Sequence, residues 1–330
     1  MHTTTLSTAA NGAIITDHRH QFLTDVIEGL SSSPKCLHSK YFYDEQGDKL
    51  FQQIMQCPEY YPTRCEMEII RQQREEIIGS VLKYLPQFDV VELGAGDASK
   101  SIHLLQTVCN TLPDFTYYPI DISWNIIQDL EKRLPEALPG LRIHGLHGEY
   151  LEMLQQTTEL SHRNKLVLFM GGNIGNFDAR TAVNFCRELR RTMRPGDLLL
   201  IGFDLKKHPQ VILDAYNDKQ GLTRDFNINL LHRINRELDA DFDPMLFHHY
   251  PTYDPATGAC KSYLVSLEKQ KVCIGKEATI TFEKDECIFM EVAQKYSPEE
   301  IQRLAFTAGF SPVGSFVDAS GCFADCLWRG

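Results

Sequence analysis

The stretch Val90-Val91-Glu92-Leu93-Gly94-Ala95-Gly96-Asp97-Ala98-Ser99-Lys100 decides the fold, together with Tyr118-Pro119-Ile120-Asp121 downstream. In the first segment, an apolar run ends in two glycines separated by one residue. In the second, another apolar run ends in an acid, Asp121. This pairing is typical of parallel sheets that bind the adenosine half of a cofactor, because glycines let the backbone approach the ligand and the acid accepts ribose hydroxyls. The sequence therefore predicts a nucleoside-binding α/β sheet.

The residues around the glycines discriminate between two cofactors. A dinucleotide site has a third glycine where this chain has Ser99, because the helix must pack tightly there and receive a pyrophosphate. S-adenosylmethionine has no pyrophosphate, and an acid two residues before the first glycine, here Glu92, is typical of its binding turn. The pattern favours S-adenosylmethionine over NAD, and hence a methyltransferase over a dehydrogenase.

Composition restricts the class of protein further. The chain has 330 residues, of which 43% are hydrophobic and 23% charged, as in globular proteins with one large or two interlocked domains. A net charge of −11 argues against a nucleic-acid partner, which requires a basic face. No apolar run approaches the roughly 20 residues that span a bilayer, and residues 1–18 lack the layout of a signal peptide. We expect a cytoplasmic monomer that acts on a small molecule.

The ten cysteines are scattered and include no Cys-x-x-Cys pair. Cys322 and Cys326 form one loose pair without a second pair within reach, so a zinc site is not expected. In a cytosolic chain, reduced structural thiols are the expected state. We predict no bound metal.

The order of predicted elements indicates two interleaved parts. Strands alternate with helices from Phe88 to Asp204, which predicts a parallel sheet covered on both faces. Residues 206–268 are expected to be mostly helical, and strand patterns return over 278–282 and 287–294. We predict a Rossmann-type class I methyltransferase sheet with a second α+β domain for the substrate. The predicted segments are a mobile tail at 1–18, a helical part of the substrate domain at 19–78, the methyltransferase core at 79–205, a substrate-binding insertion at 206–295 and a return to the core at 296–330.

Polar residues at the carboxyl ends of the strands are the candidates for binding, since ligands of such sheets bind there. Glu149 and Tyr150 would lie near the adenine, although Glu149 could also be a solvated loop acid. The loop at 171–176 brings glycines and asparagines to the expected position of the methyl group. It is not the Asn-Pro-Pro-Tyr loop of methyltransferases that grip flipped bases or glutamine side chains, which again argues against nucleic acid.

Four segments resemble one family over most of the chain. They are Pro58-Glu59-Tyr60-Tyr61-Pro62-Thr63-Arg64, Glu92-Leu93-Gly94-x-Gly96, Ile174-Gly175-Asn176 and Asn227-x-Asn229-Leu230-Leu231-x-x-Ile234-Asn235-Arg236-Glu237-Leu238-Asp239-Ala240-Asp241-Phe242. The chain resembles the histidine-specific Nα-methyltransferases of ergothioneine biosynthesis. The resemblance implies a methyltransferase domain and a second domain that encloses the amino acid.

The same resemblance implies roles for individual residues. The residues implied to line the S-adenosylmethionine site are Gly94, Gly96, Lys100, Asp121, Glu149 and Tyr150. Tyr60, Asn176 and Tyr216 would hold the α-amino and α-carboxylate groups, with Tyr60 and Asn176 orienting the reacting nitrogen. Glu291 would pair with an imidazole N–H, and Tyr43 would be a further contact.

The chain departs from the family at two positions. The histidine enzymes have a serine two residues after the glutamate, where this chain has Ala293; loss of that hydroxyl removes a hydrogen bond worth about 0.5–1.5 kcal/mol. Glu149 stands where aspartate is usual. The first departure leaves another aromatic amino acid, a modified histidine or a ring nitrogen of histidine as alternative acceptors.

The expected chemistry is an in-line displacement, in which a neutral α-amine attacks the sulfonium methyl and repeated transfer gives the trimethylated betaine, hercynine. Most of the acceleration would come from holding nitrogen, carbon and sulfur collinear in a closed site. A silent relative that only binds S-adenosylmethionine is the alternative from another class.

Overall fold

A computed structural model describes the backbone from Thr8 to Gly330 and the side chains from Arg19 onward. The chain divides into two compact units. The first comprises Met1–Tyr60, His208–Asp254 and Cys260–Val292, and the second comprises Tyr61–Lys207, Pro255–Ala259 and Ala293–Gly330. The predicted tail at 1–18 lies outside the described side chains.

The elements follow one another along the whole chain. The helices are α1 (Thr8–Ser31), α2 (Glu45–Gln56), α3 (Tyr61–Leu82), α4 (Ser101–Thr111), α5 (Trp124–Ala137), α6 (Tyr150–Leu160), α7 (Ala179–Thr192), α8 (Pro209–Ala215), α9 (Leu222–Leu238) and α10 (Pro298–Ala308). The strands are β1 (Lys35–Cys36), β2 (Asp89–Leu93), β3 (Thr116–Asp121), β4 (Arg142–Ile143), β5 (Leu146–His147), β6 (Lys165–Phe169), β7 (Leu198–Asp204), β8 (Phe247–Asp254), β9 (Ala259–Ser266), β10 (Gln270–Ile274), β11 (Ala278–Phe282), β12 (Cys287–Gln294), β13 (Ser311–Val317) and β14 (Phe323–Arg329). Short 3₁₀ helices cover Ser39–Phe42, Asn173–Asn176 and Pro244–Leu246.

The second unit is built on one large sheet with the strand order β13-β14-β7-β6-β2-β3-β4, and β5 also pairs with β3. The strands from β7 to β4 pair in parallel, whereas β14 and β13 run antiparallel at the other edge. Every residue of β2, β6 and β7 is buried, as in a parallel sheet covered on both faces. The predicted Rossmann-type methyltransferase sheet is confirmed.

The first unit contains a four-stranded sheet ordered β1-β12-β9-β8 and a separate β10-β11 hairpin. Its core joins this sheet and the hairpin to α1, α2 and α9 through Phe22, Leu50, Leu230, Phe282 and Ile288. The unit is α+β, in agreement with the prediction of a second α+β domain.

The prediction of a mostly helical segment at 206–268 is wrong for its second half, which forms β8 and β9. In β9, Ser262 and Ser266 occupy buried positions beside Leu264. Serine at inward positions weakens the alternation of apolar and polar residues that marks a strand in sequence.

The boundary predicted for the helical segment at 19–78 also differs from the structure. The sequence places this whole segment in the substrate domain, whereas α3 groups with the second unit. α3 packs on α4 and β14, which is the last strand of the chain. Contacts between segments so distant in sequence leave no local sequence pattern from which they could be predicted. Among the described residues, no helix combines the length and apolarity needed to cross a bilayer.

Candidate active site

The glycine turn after β2 has a backbone that few side chains permit. Gly94 has φ +71° and Gly96 has φ +51°, both in the left-handed region. The amides of Gly94 and Ala95 donate to the carbonyl of Ile120 at 2.9 and 3.2 Å, which ties the turn to β3. A Cβ atom on Gly94 would lie 2.8 Å from Tyr150 Oη. Glycine is therefore required at position 94 by both conformation and space.

Asp121, at the end of β3, is oriented by the same turn. Its carboxylate accepts from the amide of Gly96 at 3.1 Å and from the amide of Ser123 at 2.9 Å. These two bonds fix the side chain next to the glycines, where the acid of an adenosine site is needed. The structure thus brings Gly96 and Asp121 together, as the sequence predicts.

Tyr150 and Glu149 lie at the start of α6. Tyr150 is half-buried, and burial raises the pKa of its phenol to about 12, with a further contribution from Asp121, so the hydroxyl remains a hydrogen-bond donor at neutral pH. Glu149 is exposed and precedes α6. The Cβ position of Gly94 is also 3.6 Å from Asn173 Nδ2, so the turn, Tyr150 and Asn173 meet at one point. Asn173 was not among the predicted site residues, although the loop that carries it was.

Two exposed apolar side chains next to Asp121 were not predicted. Ile122 is 53% exposed and Trp124 is 54% exposed. The His147 ring lies 5.7 Å from the Trp124 ring, and its Nε2 is 3.0 Å from the carbonyl of Ile122. An adenine ring could cover this surface. The signal in the sequence was a large apolar pair directly after the acid that ends β3.

Lys100 has a partner that the sequence did not indicate. Its ammonium forms an ion pair with Glu66 of α3, a carboxylate that is only 1% exposed. Burial opposes the charge on Lys100, but the neighbouring Glu66 outweighs it and the pKa of Lys100 is raised. Lys100 therefore stays charged, one residue before α4, and its side chain is 20% exposed.

The loop after β6 is also left-handed, with φ +80° at Gly171 and +68° at Gly172. The 3₁₀ helix Asn173–Asn176 follows, and Asn176 is exposed at its end. Asp178 caps α7 by accepting from the amides of Arg180 and Thr181, both at 2.9 Å. This cap fixes the chain two residues beyond Asn176.

Asp204 ends β7 and was a further candidate at the strand ends. Its carboxylate accepts from Tyr61 Oη at 2.9 Å and pairs with Lys295 at 2.7 Å and with Lys207. Burial lowers the pKa of Lys207. Both carboxylate oxygens of Asp204 bind protein groups, so Asp204 stabilises this part of the second unit.

In the first unit, the predicted substrate residues Tyr43, Tyr60 and Tyr216 share one aromatic cluster. The Tyr60 ring is 6.2 Å from that of Tyr216 and 6.3 Å from that of Phe51. Tyr43 lies 5.8 Å from Phe51 and 5.7 Å from Phe226. The structure brings these three tyrosines together from separate segments of sequence. Tyr60 belongs to the first unit and Asn176 to the second.

Glu291 lies in β12, between the buried core residue Met290 and the half-buried Val292. Side chains alternate along a strand, so Phe289, Glu291 and Ala293 share the face opposite Met290. Phe289 packs on Tyr263 at 5.8 Å, and Ala293 is 7% exposed. Glu291 and Ala293, both predicted to contact the substrate side chain, therefore lie on the same face of β12.

The long Asn-Arg-Glu-Leu motif lies on α9 and holds the first unit together. Asn229 Nδ2 donates to Asp44 at 2.8 Å, and Arg236 pairs with the same carboxylate at 2.5 Å. Asn235 bonds both the amide and the carbonyl of Phe242, at 2.9 and 2.7 Å. At these positions, the motif that most resembles the family therefore stabilises the fold of the first unit.

One group of possible metal ligands occurs among the described residues, namely Cys65, Asp318 and Cys322, whose ligand atoms lie within 4.8 Å of one another. The Asp318 carboxylate already accepts from the amides of Ser320 at 2.9 Å, Cys322 at 2.7 Å and Phe323 at 2.6 Å. Burial opposes ionisation, but these donors outweigh it and lower the pKa of Asp318. The Asp318 carboxylate therefore serves as the cap of the turn between β13 and β14.

Comparison with known proteins gives a consistent result. Residues 22–330 match the family model described as histidine-specific methyltransferase, SAM-dependent. The chain is 33% identical to the histidine N-alpha-methyltransferase of Mycobacterium tuberculosis, over 91% of this chain and 92% of the relative. It is 29% identical to the ergothioneine biosynthesis protein 1 of Neurospora crassa, over 86% of this chain and 32% of that longer protein. It is 27% identical to the 4-dimethylallyltryptophan N-methyltransferase of Claviceps fusiformis, over 89% of both chains.

Proposed function

Because the chain belongs to the family of histidine-specific, S-adenosylmethionine-dependent methyltransferases, we propose that it methylates the α-amine of free L-histidine and carries the reaction to the trimethyl betaine, hercynine. This product would serve ergothioneine biosynthesis, in which two of the relatives are named. The observation that carries the proposal is the convergence of the glycine turn, Tyr150 and Asn173 at one point of a chain that matches the family model over residues 22–330.

The residues present fit S-adenosylmethionine. The glycine turn leaves open space beside Gly96, Asp121 is held ready for ribose hydroxyls, and exposed Ile122 and Trp124 offer an apolar surface to the adenine. Glu149 would accept the adenine amino hydrogens. When bound, the cofactor supplies an electrophilic methyl group on a sulfonium.

We assign Tyr60 and Asn176 to orienting the amine, and Tyr216 and Tyr43 to the rest of the amino-acid backbone. The amine must be neutral to attack, and correct placement at about 3 Å from the methyl carbon supplies most of the acceleration. The tyrosine cluster is rigid because its rings pack edge to face on Phe51 and Phe226. Such packing would hold the nitrogen in line with the methyl group.

Glu291 would pair with an imidazole N–H. A charged acceptor distinguishes an imidazole from a phenyl ring better than apolar contacts do, since a buried polar group left unpaired is costly. Ala293, on the same strand face, offers no hydroxyl to an imidazole ring, which supports a second candidate acceptor, another aromatic amino acid. One relative is named a 4-dimethylallyltryptophan N-methyltransferase.

The test is a competition among the twenty amino acids with S-adenosylmethionine, followed by mass spectrometry of the products. We expect histidine to gain methyl groups preferentially. E291Q should lower kcat/KM for histidine by about 10- to 100-fold, because a carboxylate acceptor becomes a weaker amide. Preferential methylation of tryptophan or tyrosine, unchanged by E291Q, would replace the proposal with the second candidate.

A further inference from the structure

A buried cluster of carboxyl groups lies behind the loop after β6, in the second unit. Glu66 is 1% exposed; one oxygen accepts from the amide of Gly171 at 2.6 Å and the other binds Lys100. Asp325, on β14, is 0% exposed. Neither of its carboxyl oxygens has a hydrogen-bond donor among the described residues.

The two carboxyl groups meet over a glycine of the sheet. Asp325 pairs in register with Gly202 of β7. A Cβ atom on Gly202 would lie 2.6 Å from Glu66 Oε1 and 3.1 Å from Asp325 Oδ1. Two carboxyl groups that share one small space without a donor between them cannot both be ionised.

The neighbouring charged groups also favour a protonated carboxyl group in this cluster. Glu66, Asp325 and Glu92 all interact electrostatically with one ammonium, that of Lys100, which is in direct contact with Glu66. Glu92 accepts a hydrogen bond from the Tyr117 hydroxyl, and burial raises its pKa to about 7. Asp325 has no such donor among the described residues, so it is the carboxyl group that most favours the protonated form.

We propose that Asp325 is a positioning residue that remains protonated at neutral pH and donates a hydrogen bond to Glu66, which in turn holds the Gly171 amide and Lys100. Burial and the neighbouring Glu66 raise the pKa of Asp325 well above its ordinary value. The proton keeps Glu66 from being repelled from its place. Because Gly171 starts the loop that leads to Asn176, the pair sets the loop and the lysine together. The effect of this on methyl transfer rests on the proposed function.

Infrared difference spectroscopy tests the protonation directly. At neutral pH, wild type minus D325N should contain the carbonyl band of a protonated carboxylic acid. D318N is the matched control, because Asp318 is a buried acid of the same hairpin whose carboxylate accepts three amides and is ionised. Its difference spectrum should contain carboxylate bands instead. A D325N spectrum with carboxylate bands and no acid band would overturn the proposal.

The positioning role is tested by S-adenosylmethionine binding, measured by calorimetry without an amino acid. D325A removes the donor and should weaken binding roughly tenfold, whereas D325N restores a donor of the same shape and should recover most of that loss. Equal binding by D325A and D325N would refute the role, even if the acid band is found. Neither measurement depends on the acceptor, so a failure of histidine methylation would leave both results interpretable.

Discussion

At the scale of single residues, the tightest geometric demand in the candidate site is at Gly94, where a left-handed backbone coincides with a close approach to Tyr150. We expect G94A to weaken S-adenosylmethionine binding by at least about tenfold, because the new methyl group adds a clash to the backbone strain. The dissociation constant from calorimetry checks this.

Gly96 provides the control for that prediction. It shares the left-handed backbone, but a Cβ atom there meets nothing within 4 Å. G96A should therefore cost less than G94A, and the double variant G94A/Y150F should recover part of the binding, since it removes the hydroxyl from the clash. Equal losses in G94A and G96A would show that contact with Tyr150 is irrelevant.

The second prediction for a single residue concerns Ala293. A293S adds a hydroxyl on the strand face of Glu291 and should raise kcat/KM for histidine about two- to tenfold, as expected for one hydrogen bond. A293V adds volume without a donor and should not raise it. Steady-state kinetics with both variants checks this. An equal gain in the two variants would attribute the effect to packing.

At the scale of elements, Asp44 joins two helices of the first unit. It caps α2 through the amide of Gly47 at 2.8 Å and accepts from Asn229 and Arg236 of α9. D44A should lower the free energy of unfolding by about 2–3 kcal/mol, since a cap and two side-chain bonds are lost. D44N keeps an acceptor oxygen and should lose less. Chemical denaturation measures both, and a loss below about 0.5 kcal/mol in D44A would contradict the assignment.

Elements also show how far sequence reasoning extends. The strands β11 and β12 have the predicted bounds, and strands alternate with helices from β2 to β7 as predicted, because these segments have strong local periods. The prediction failed for β8 and β9, and serines occupy inward positions in β9. It also missed the packing of α3 on the last strand. Glu66 and Asp325 were missed for the same reason, because they lie far apart in sequence and come together only where α3 packs on β14.

At the scale of the whole molecule, His249 links stability to pH. It is 4% exposed, and its Nε2 has no hydrogen-bond partner among the residues that the structure describes. Burial, followed by nearby His248, lowers its pKa from 6.5 to about 4. Between these values the unfolded chain binds the proton more readily than the native protein. The free energy of unfolding should therefore fall as pH drops from 6.5 to 4, by up to about 3 kcal/mol from this residue.

The variant H249Q should flatten that dependence, as measured by denaturation at several pH values. Its control is H248Q, because His248 is the exposed neighbour in the same strand. H248Q should retain most of the wild-type slope, because burial is the larger cause of the lowered pKa of His249. An unchanged slope in H249Q would show that other groups cause the acid destabilisation.

The glycine turn and Asp121 could be predicted as neighbours because both follow strands of one parallel sheet, at the edge where such folds bind ligands. The roles of Tyr43, Tyr60 and Tyr216 could be proposed only through the family resemblance, since these residues have no common spacing. Ile122 and Trp124 were missed because an exposed apolar residue cannot be told from a buried one by sequence alone.

The nitrogen that receives the methyl group decides between the proposed reaction and methylation of the ring. Histidine labelled with nitrogen-15 is incubated with the protein and S-adenosylmethionine, and the product is examined by NMR. We expect methyl protons coupled to the α-nitrogen, with up to three methyl groups accumulating on it. Methyl protons coupled to an imidazole nitrogen would refute α-amine methylation.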